Sequence, residues 1–296
     1  MAALALDNAK ETVNRSTGEM WTSGTLKNLQ ISVGAAGVSV KGSLAKFHLP
    51  DNTFTLTRQG TKETISDLSD ALHIDLNAAR ITRIDVAANM IMQHEPARYY
   101  EALGGCRYFD RLATSTDTLS YRSKNKDHRR TLVFYDKLRE VEGRGGIIPD
   151  VFAGSNLLRY EARWERRLPR QLKEPDITAS TLYDSRFYCK VIDLWKDAYF
   201  NIEKKKTMKA DAIEDIRTVS GLTDYVCAIA LQKLPPDEVR NIIDEAKRKG
   251  IFEDRNYYYR ATRKLKDIAG KAALSETSEL VNELDRAVRQ AVYDRH

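Results

Sequence analysis

The residues best placed to do chemistry are Tyr135 and Lys137, within His128-Arg129-Arg130-Thr131-Leu132-Val133-Phe134-Tyr135-Asp136-Lys137-Leu138-Arg139-Glu140. The stretch alternates as a strand does, with Leu132 and Phe134 on one face and Thr131, Val133, Tyr135 and Lys137 on the other. A phenol beside an ammonium is a nucleophile in waiting, because the cation stabilises the phenolate and lowers the tyrosine pKa. A tyrosine on a strand is also an ordinary packing residue, so the neighbouring strands have to decide.

Two further segments alternate in the same way. Ala79 to Met90 puts Ile84, Val86, Ala88 and Met90 on one face and Arg83, Asp85 and Asn89 on the other. Leu157 to Glu165 puts Leu158, Tyr160, Ala162 and Trp164 inward and Arg159, Glu161 and Arg163 outward. If the apolar faces share one core, the polar faces share the other side of one sheet. Asp85 and Glu161 could then hold Mg²⁺ or Mn²⁺, which favour carboxylate oxygens. Tyr135 would attack a phosphate polarised by that ion while a 3′ oxygen leaves, and Lys137, Arg83 and Arg159 would neutralise the charge that builds. The same pattern also fits cross-strand ion pairs, Arg83 with Asp85 and Arg159 with Glu161, on a solvated face. His48, on a segment taken as strand or turn, could join the ion by its strand parity.

The elements that must carry these residues follow in order. Residues 1 to about 24 are polar and weakly patterned, an extended lead-in. Leu29, Ile31 and Val33, then Val38 and Val40 beyond Gly34-Ala35-Ala36-Gly37, read as a hairpin, and Leu44 to Leu49 as strand or turn. Ser66 to Leu76 predicts a helix capped by Ser66, and Glu95 to Leu103 a short helix entered through Pro96. Leu119 to Arg122 and Thr131 to Lys137 pair as a hairpin, and Gly143 to Pro149 is a flexible connection. Thr181 to Tyr199 and the chain from Lys209 onward are helical in pattern, broken at Ser220-Gly221 and Pro235-Pro236. Asp237 to Lys249 stops at Gly250, Asn256 to Lys266 is basic and carries Tyr257-Tyr258-Tyr259, and Ser275 to Arg295 closes as a helix. The expectation is an α+β fold: an antiparallel sheet over residues 25–200 with helices packed on one face, then a helical region over 201–296.

Composition narrows the class. With 296 residues, 42% hydrophobic and 30% charged, the chain is globular and has ample core. No apolar run reaches the roughly 18 residues a spanning helix needs, and the N-terminus lacks the pattern of a signal peptide. The expectation is a cytoplasmic protein without a membrane partner. Cys106, Cys189 and Cys227 are odd in number and far apart, offering no disulfide framework and no zinc knuckle. The net charge of +6 permits a nucleic-acid partner, and the excess clusters at Arg122 to Arg130 and Arg159 to Lys173.

Taken in order, Thr82-Arg83-Ile84-Asp85, Arg129-Arg130-Thr131-Leu132-Val133-Phe134-Tyr135-Asp136-Lys137 and Leu158-Arg159-Tyr160-Glu161-Ala162-Arg163 resemble the replication initiators of filamentous phages and related plasmids. These are distant members of the rolling-circle, HUH-like nickases. Gly42 to Lys46 and Asp51-Asn52 belong to the same resemblance, which runs from about residue 40 to 173 and is weaker over the helical part. It implies a metal-dependent enzyme that nicks one strand at an origin, single-stranded or in a hairpin, and later rejoins it. Tyr135 would form a 5′-phosphotyrosine, Asp85 would take the acidic metal position with Glu161 as a further ligand, and Arg83, Arg129, Arg130, Arg159 and Arg163 would contact DNA. The chain departs from the wider pattern in having no His-x-His, and it has no phosphate-binding G-x-x-x-x-G-K-[ST] loop. A host helicase and a second copy of the chain are therefore candidate partners. A non-catalytic origin-binding protein and a mobilisation relaxase are the rival readings.

Overall fold

The chain begins with an antiparallel meander, β1 (Asp7–Val13), β2 (Met20–Leu26), β3 (Leu29–Gly34) and β4 (Gly37–Lys41), seen in a computed structural model that describes residues 6–114, 117–125, 127–208, 212–234, 238–271 and 275–295. The expected lead-in is thus two paired strands, because Trp21 to Leu26 finds a partner in β3 despite its weak alternation. The β3–β4 turn closes over Ala35-Ala36, with Gly37 at φ +123°, a conformation that side-chain-bearing residues rarely adopt.

Next come α1 (Leu44–His48) and α2 (Arg58–Leu72). Two expectations are corrected here. Leu44 to His48 is helical rather than a strand, since the Ser43 hydroxyl accepts from the Lys46 N–H at 3.3 Å and caps the turn. The second helix starts at Thr57, whose hydroxyl accepts from Gly60, so Ser66 lies inside it rather than at its cap. Leu29, Ile31, Phe47, Leu68 and Leu72 form a small core between this meander and its helices.

The remaining strands and their helices are β5 (Arg83–Met92), α3 (Pro96–Ala102), β6 (Leu103–Cys106), β7 (Phe109–Thr114), β8 (Thr118–Ser123), β9 (Arg129–Asp136), α4 (Lys137–Gly143), β10 (Asn156–Glu165), α5 (Leu168–Leu172), α6 (Ser185–Phe200) and β11 (Ile202–Lys204). Five strands make an antiparallel sheet in the order β5-β10-β9-β8-β7, so β10 slots between β5 and β9. The fold is α+β, with an antiparallel sheet carrying helices on one face. That face buries Ala88, Met90, Leu132, Phe134, Leu158, Tyr160, Ala162 and Trp164 against α3, α6 and a last helix, α10 (Glu279–Tyr293). Phe134 stacks on Tyr160 at 4.5 Å between ring centroids, and Tyr160 meets Trp195 of α6 at 4.8 Å.

Between β11 and α10 lie β12 (Lys206–Met208), α7 (Val219–Lys233), α8 (Glu238–Arg248), α9 (Arg255–Gly270) and β13 (Ser275–Thr277). Ser220-Gly221 does not break α7; both sit in its first turn, where Thr218 caps the Gly221 N–H. Residues 235–237, which include the Pro-Pro break, lie outside the described residues. The cysteines are free, and only Cys106 is buried. Among the described residues, no helix is long and apolar enough to cross a membrane.

Candidate functional site

The antiparallel register stacks the polar side chains of three strands into rungs. Tyr135, Arg159 and Asn89 lie across from one another, then Val133, Glu161 and Ala87, then Thr131, Arg163 and Asp85, then Arg129, Glu165 and Arg83. Glu161 therefore sits between two arginines of its own strand, two residues away on either side and pointing the same way.

Glu161 is 6% exposed, and each of its oxygens is engaged. Oε1 accepts from the Tyr135 hydroxyl at 2.8 Å and from Arg159 Nε at 2.6 Å. Oε2 accepts from Arg163 Nε at 2.8 Å and Nη2 at 2.5 Å. Burial pushes the Glu161 carboxyl up, but the charges of Arg159 and Arg163 outweigh it and hold the pKa at about 2. Tyr135 goes the other way. Burial raises its phenol well above the usual value, Arg159 opposes that, and Glu161 adds to it.

A loop lies over this face. The Asn52 carbonyl accepts from Arg159 Nη1 at 2.8 Å and from Asn89 Nδ2 at 3.0 Å, while the Thr53 carbonyl accepts from Asn89 Nδ2 at 2.7 Å. The Asn52 side chain accepts from Lys137 Nζ at 2.8 Å. Asn52 and Glu140 are the participants that strand alternation cannot reveal; the family resemblance at Asp51-Asn52, the Pro50-Asp51-Asn52 turn signal and the glutamate three residues past Lys137 mark them in the sequence.

Lys137 is not beside Tyr135 on a strand. Asp136 ends β9 by capping α4, accepting from the N–H groups of Leu138 at 3.0 Å and Arg139 at 3.1 Å. Lys137 opens that helix, is 0% exposed, and gives its ammonium to Asn52 and Glu140. It ties the loop to the helix rather than facing the phenol. Burial lowers its pKa, and Glu140 restores part of that.

The arginines divide. Arg159 and Arg163 both donate to Glu161, and Arg159 lies across from Tyr135. Arg83 and Arg129 are further along the same face on Glu165, at 2.7 Å and 3.4 Å, with Arg83 also bidentate on Asp85. Arg130 is a correction. It has the parity of Leu132 and Phe134, so it points to the helix-covered side, where burial lowers its pKa and Nε meets no partner.

Asp85 and Glu161, expected to share a divalent ion, do not fit one as placed. Asp85 gives both oxygens to Arg83, at 2.8 Å and 2.6 Å. Arg163 stands between the two acids, with Nη2 at 2.5 Å from Glu161 and Nε at 3.9 Å from Asp85. Guanidinium groups thus occupy the positions a hard cation would take, and among the described residues no three His, Cys, Asp or Glu side chains are grouped to hold a metal. His48 belongs to α1, not a strand, and pairs with Glu63 at 3.5 Å.

No curated protein matches the chain. The family described as the N-terminal part of the replication-associated protein of filamentous phage gene II type matches residues 14–191, more than half of the sequence and the whole of the five-stranded sheet. That span takes in all the rungs built above, and the chain belongs to this family of phage replication initiators.

Proposed function

We propose that the protein nicks and rejoins one DNA strand to start rolling-circle replication, with Tyr135 as the nucleophile. One observation carries this: the Tyr135 hydroxyl donates to Glu161 at 2.8 Å while the same carboxylate is gripped by Arg159 and Arg163. A nucleophile, a proton acceptor and two phosphate-binding cations are thereby neighbours on one sheet face.

At rest the set is inactive, because the phenol is protonated and the arginines keep Glu161 a weak base. An entering phosphodiester competes with Glu161 for both guanidiniums, whose paired N–H donors match phosphate. As they turn to the phosphate, Glu161 loses the charges that hold its pKa down and becomes able to take the phenolic proton. The Tyr135 oxygen then attacks phosphorus, its proton passes to Glu161, and the 3′ oxygen leaves and is protonated by solvent. The product is a 5′-phosphotyrosine, and attack by a 3′ hydroxyl reverses the sequence. Arg159 and Arg163 neutralise the charge on the equatorial oxygens.

The test is an adduct assay on a single-stranded origin oligonucleotide, with and without Mg²⁺, followed by mass spectrometry of the modified peptide. The expected result is an adduct on Tyr135 that is lost in Tyr135→Phe. An adduct on Tyr188 or Tyr199 sinks the assignment, and origin binding without any adduct supports a non-catalytic binder instead.

A further inference from the structure

The chain leaves the helical cover of the sheet after β11 and returns through a two-stranded clasp, in which Lys206, Thr207 and Met208 pair with Thr277, Glu276 and Ser275. Among the described residues between its strands lie α7, α8 and α9, with α9 packed on both of the others. The inner face of α9 is anchored by buried Tyr258 and Ile268. The Tyr258 hydroxyl accepts from the Phe252 N–H at 2.7 Å and sits 3.2 Å from the Ala246 carbonyl of α8, fixing α9 against the turn that precedes it.

The outer face is the informative one. Asn256, Arg260 and Arg263, spaced i, i+4 and i+7, form one exposed stripe, flanked by Tyr259, 69% exposed, and by Lys264. Asp267 is the sole acid on this helix, against Arg255, Arg260, Arg263, Lys264 and Lys266. The charges of α8 and of the residue that follows it are largely neutralised locally, Lys247 on Asp244 at 3.3 Å and Lys249 on Glu245 at 2.8 Å. Arg260 and Lys264 have no ion pair among the described residues, while Arg263 has only Asp267 at 3.9 Å. A solvated helix face interleaves signs as α8 does; α9 does not.

We propose that α9 is the recognition helix of a duplex-DNA-binding module, lying in the major groove with Asn256, Arg260 and Arg263 toward base edges and Lys264 and Tyr259 toward phosphates. A helix fits that groove, an asparagine can bond adenine with two contacts and an arginine guanine likewise, and the unneutralised charge complements the backbone. DNA as the partner rests on the nicking proposal, but the surface shares no residue with the Tyr135 site.

The test uses the full chain and a pool of duplexes randomised at the centre, titrated by fluorescence anisotropy over a salt series. Arg260→Ala/Arg263→Ala is expected to weaken duplex binding about tenfold or more, and Lys264→Ala to make the plot of log affinity against log salt shallower by about 1. Asn256→Ala is expected to relax the sequence preference recovered from the pool. The charge-matched control Lys247→Ala/Lys249→Ala is expected to bind as wild type, with melting curves of both doubles superimposing on it. An unchanged affinity in the α9 double, an equal loss in the α8 control, or tighter binding to a single-stranded pool overturns the proposal. Adduct formation on a single-stranded oligonucleotide, measured alongside, should survive in the α9 double. A wild-type protein that forms no adduct defeats the nickase proposal alone, because the duplex comparison is unaffected.

Discussion

Under the proposed mechanism, Glu161 holds a resting state that the phosphodiester has to dismantle. Its carboxylate is ionised because two guanidiniums outweigh burial, which ties its protonation to the stability of the fold. The folded pKa of about 2 lies below the ordinary 4.5, so the stabilisation is complete above pH 4.5 and is lost as pH falls toward 2. The expected size is roughly 3 kcal/mol, from the free energy equivalent of such a displacement. Urea denaturation across that window should show this slope in wild type, and Glu161→Gln should remove it. An identical acid slope in the variant would assign the titration to other carboxylates. Glu161→Gln should also slow adduct formation even at neutral pH, since an amide cannot accept the Tyr135 proton.

At the level of elements, the Lys137 ammonium connects α4 to the loop at Asn52, and that loop lends its carbonyls to Arg159 and Asn89. Lys137→Ala leaves the Asn52 side chain without its donor and Glu140 with Arg144 alone, and leaving a buried polar group unsatisfied typically costs about 1–3 kcal/mol. A urea midpoint unchanged from wild type would refute that role. The strands are legible in the sequence because one face of each is apolar through its middle: Leu132 and Phe134, Ile84 to Met90, Leu158 to Trp164 all lie where alternation puts them. What alternation does not report is where a strand stops. Asp136 ends β9 one residue before Lys137 by bonding two N–H groups of the next turn, and that single cap moves Lys137 out of the expected pair. Parity also places Arg130 on the buried face, away from Tyr135 and Glu161, and it has no meaning for His48, whose segment is helical. The carboxylates of the expected metal pair are visible in the sequence, but not that Arg163 stands between them, because that depends on rotamers.

For the whole molecule, the telling element is α10. Leu284 and Val288 enter the main core, Glu283 accepts from the Tyr99 hydroxyl at 2.5 Å and from the Gln93 N–H at 2.7 Å, and Arg295 donates to the Ala87 carbonyl on the outer edge of β5. The end of the chain is thus part of the sheet's packing, and the helical region expected from residue 201 onward includes a piece of the sheet's own cover. Replacing residues 209–274 by a short turn should leave a cooperatively folding protein, since β12 and β13 already lie side by side. Ending the chain at Gly270 should not, because the core loses α10. Calorimetry of the two forms decides this, and equal melting transitions would contradict it.

The position of β10 also sets an order of events. The β7–β8–β9 meander is built from sequence neighbours and can form early, whereas β10 has to enter a slot between β9 and the distant β5. Tyr135 is made on the ribosome before Glu161, and their contact needs that last strand in place. A nascent chain therefore carries the phenol before its hydrogen-bond acceptor Glu161 and the two arginines that flank Glu161. Under the proposed function, the capacity to cut would arrive with the closing of the sheet, which separates synthesis of Tyr135 from its arming.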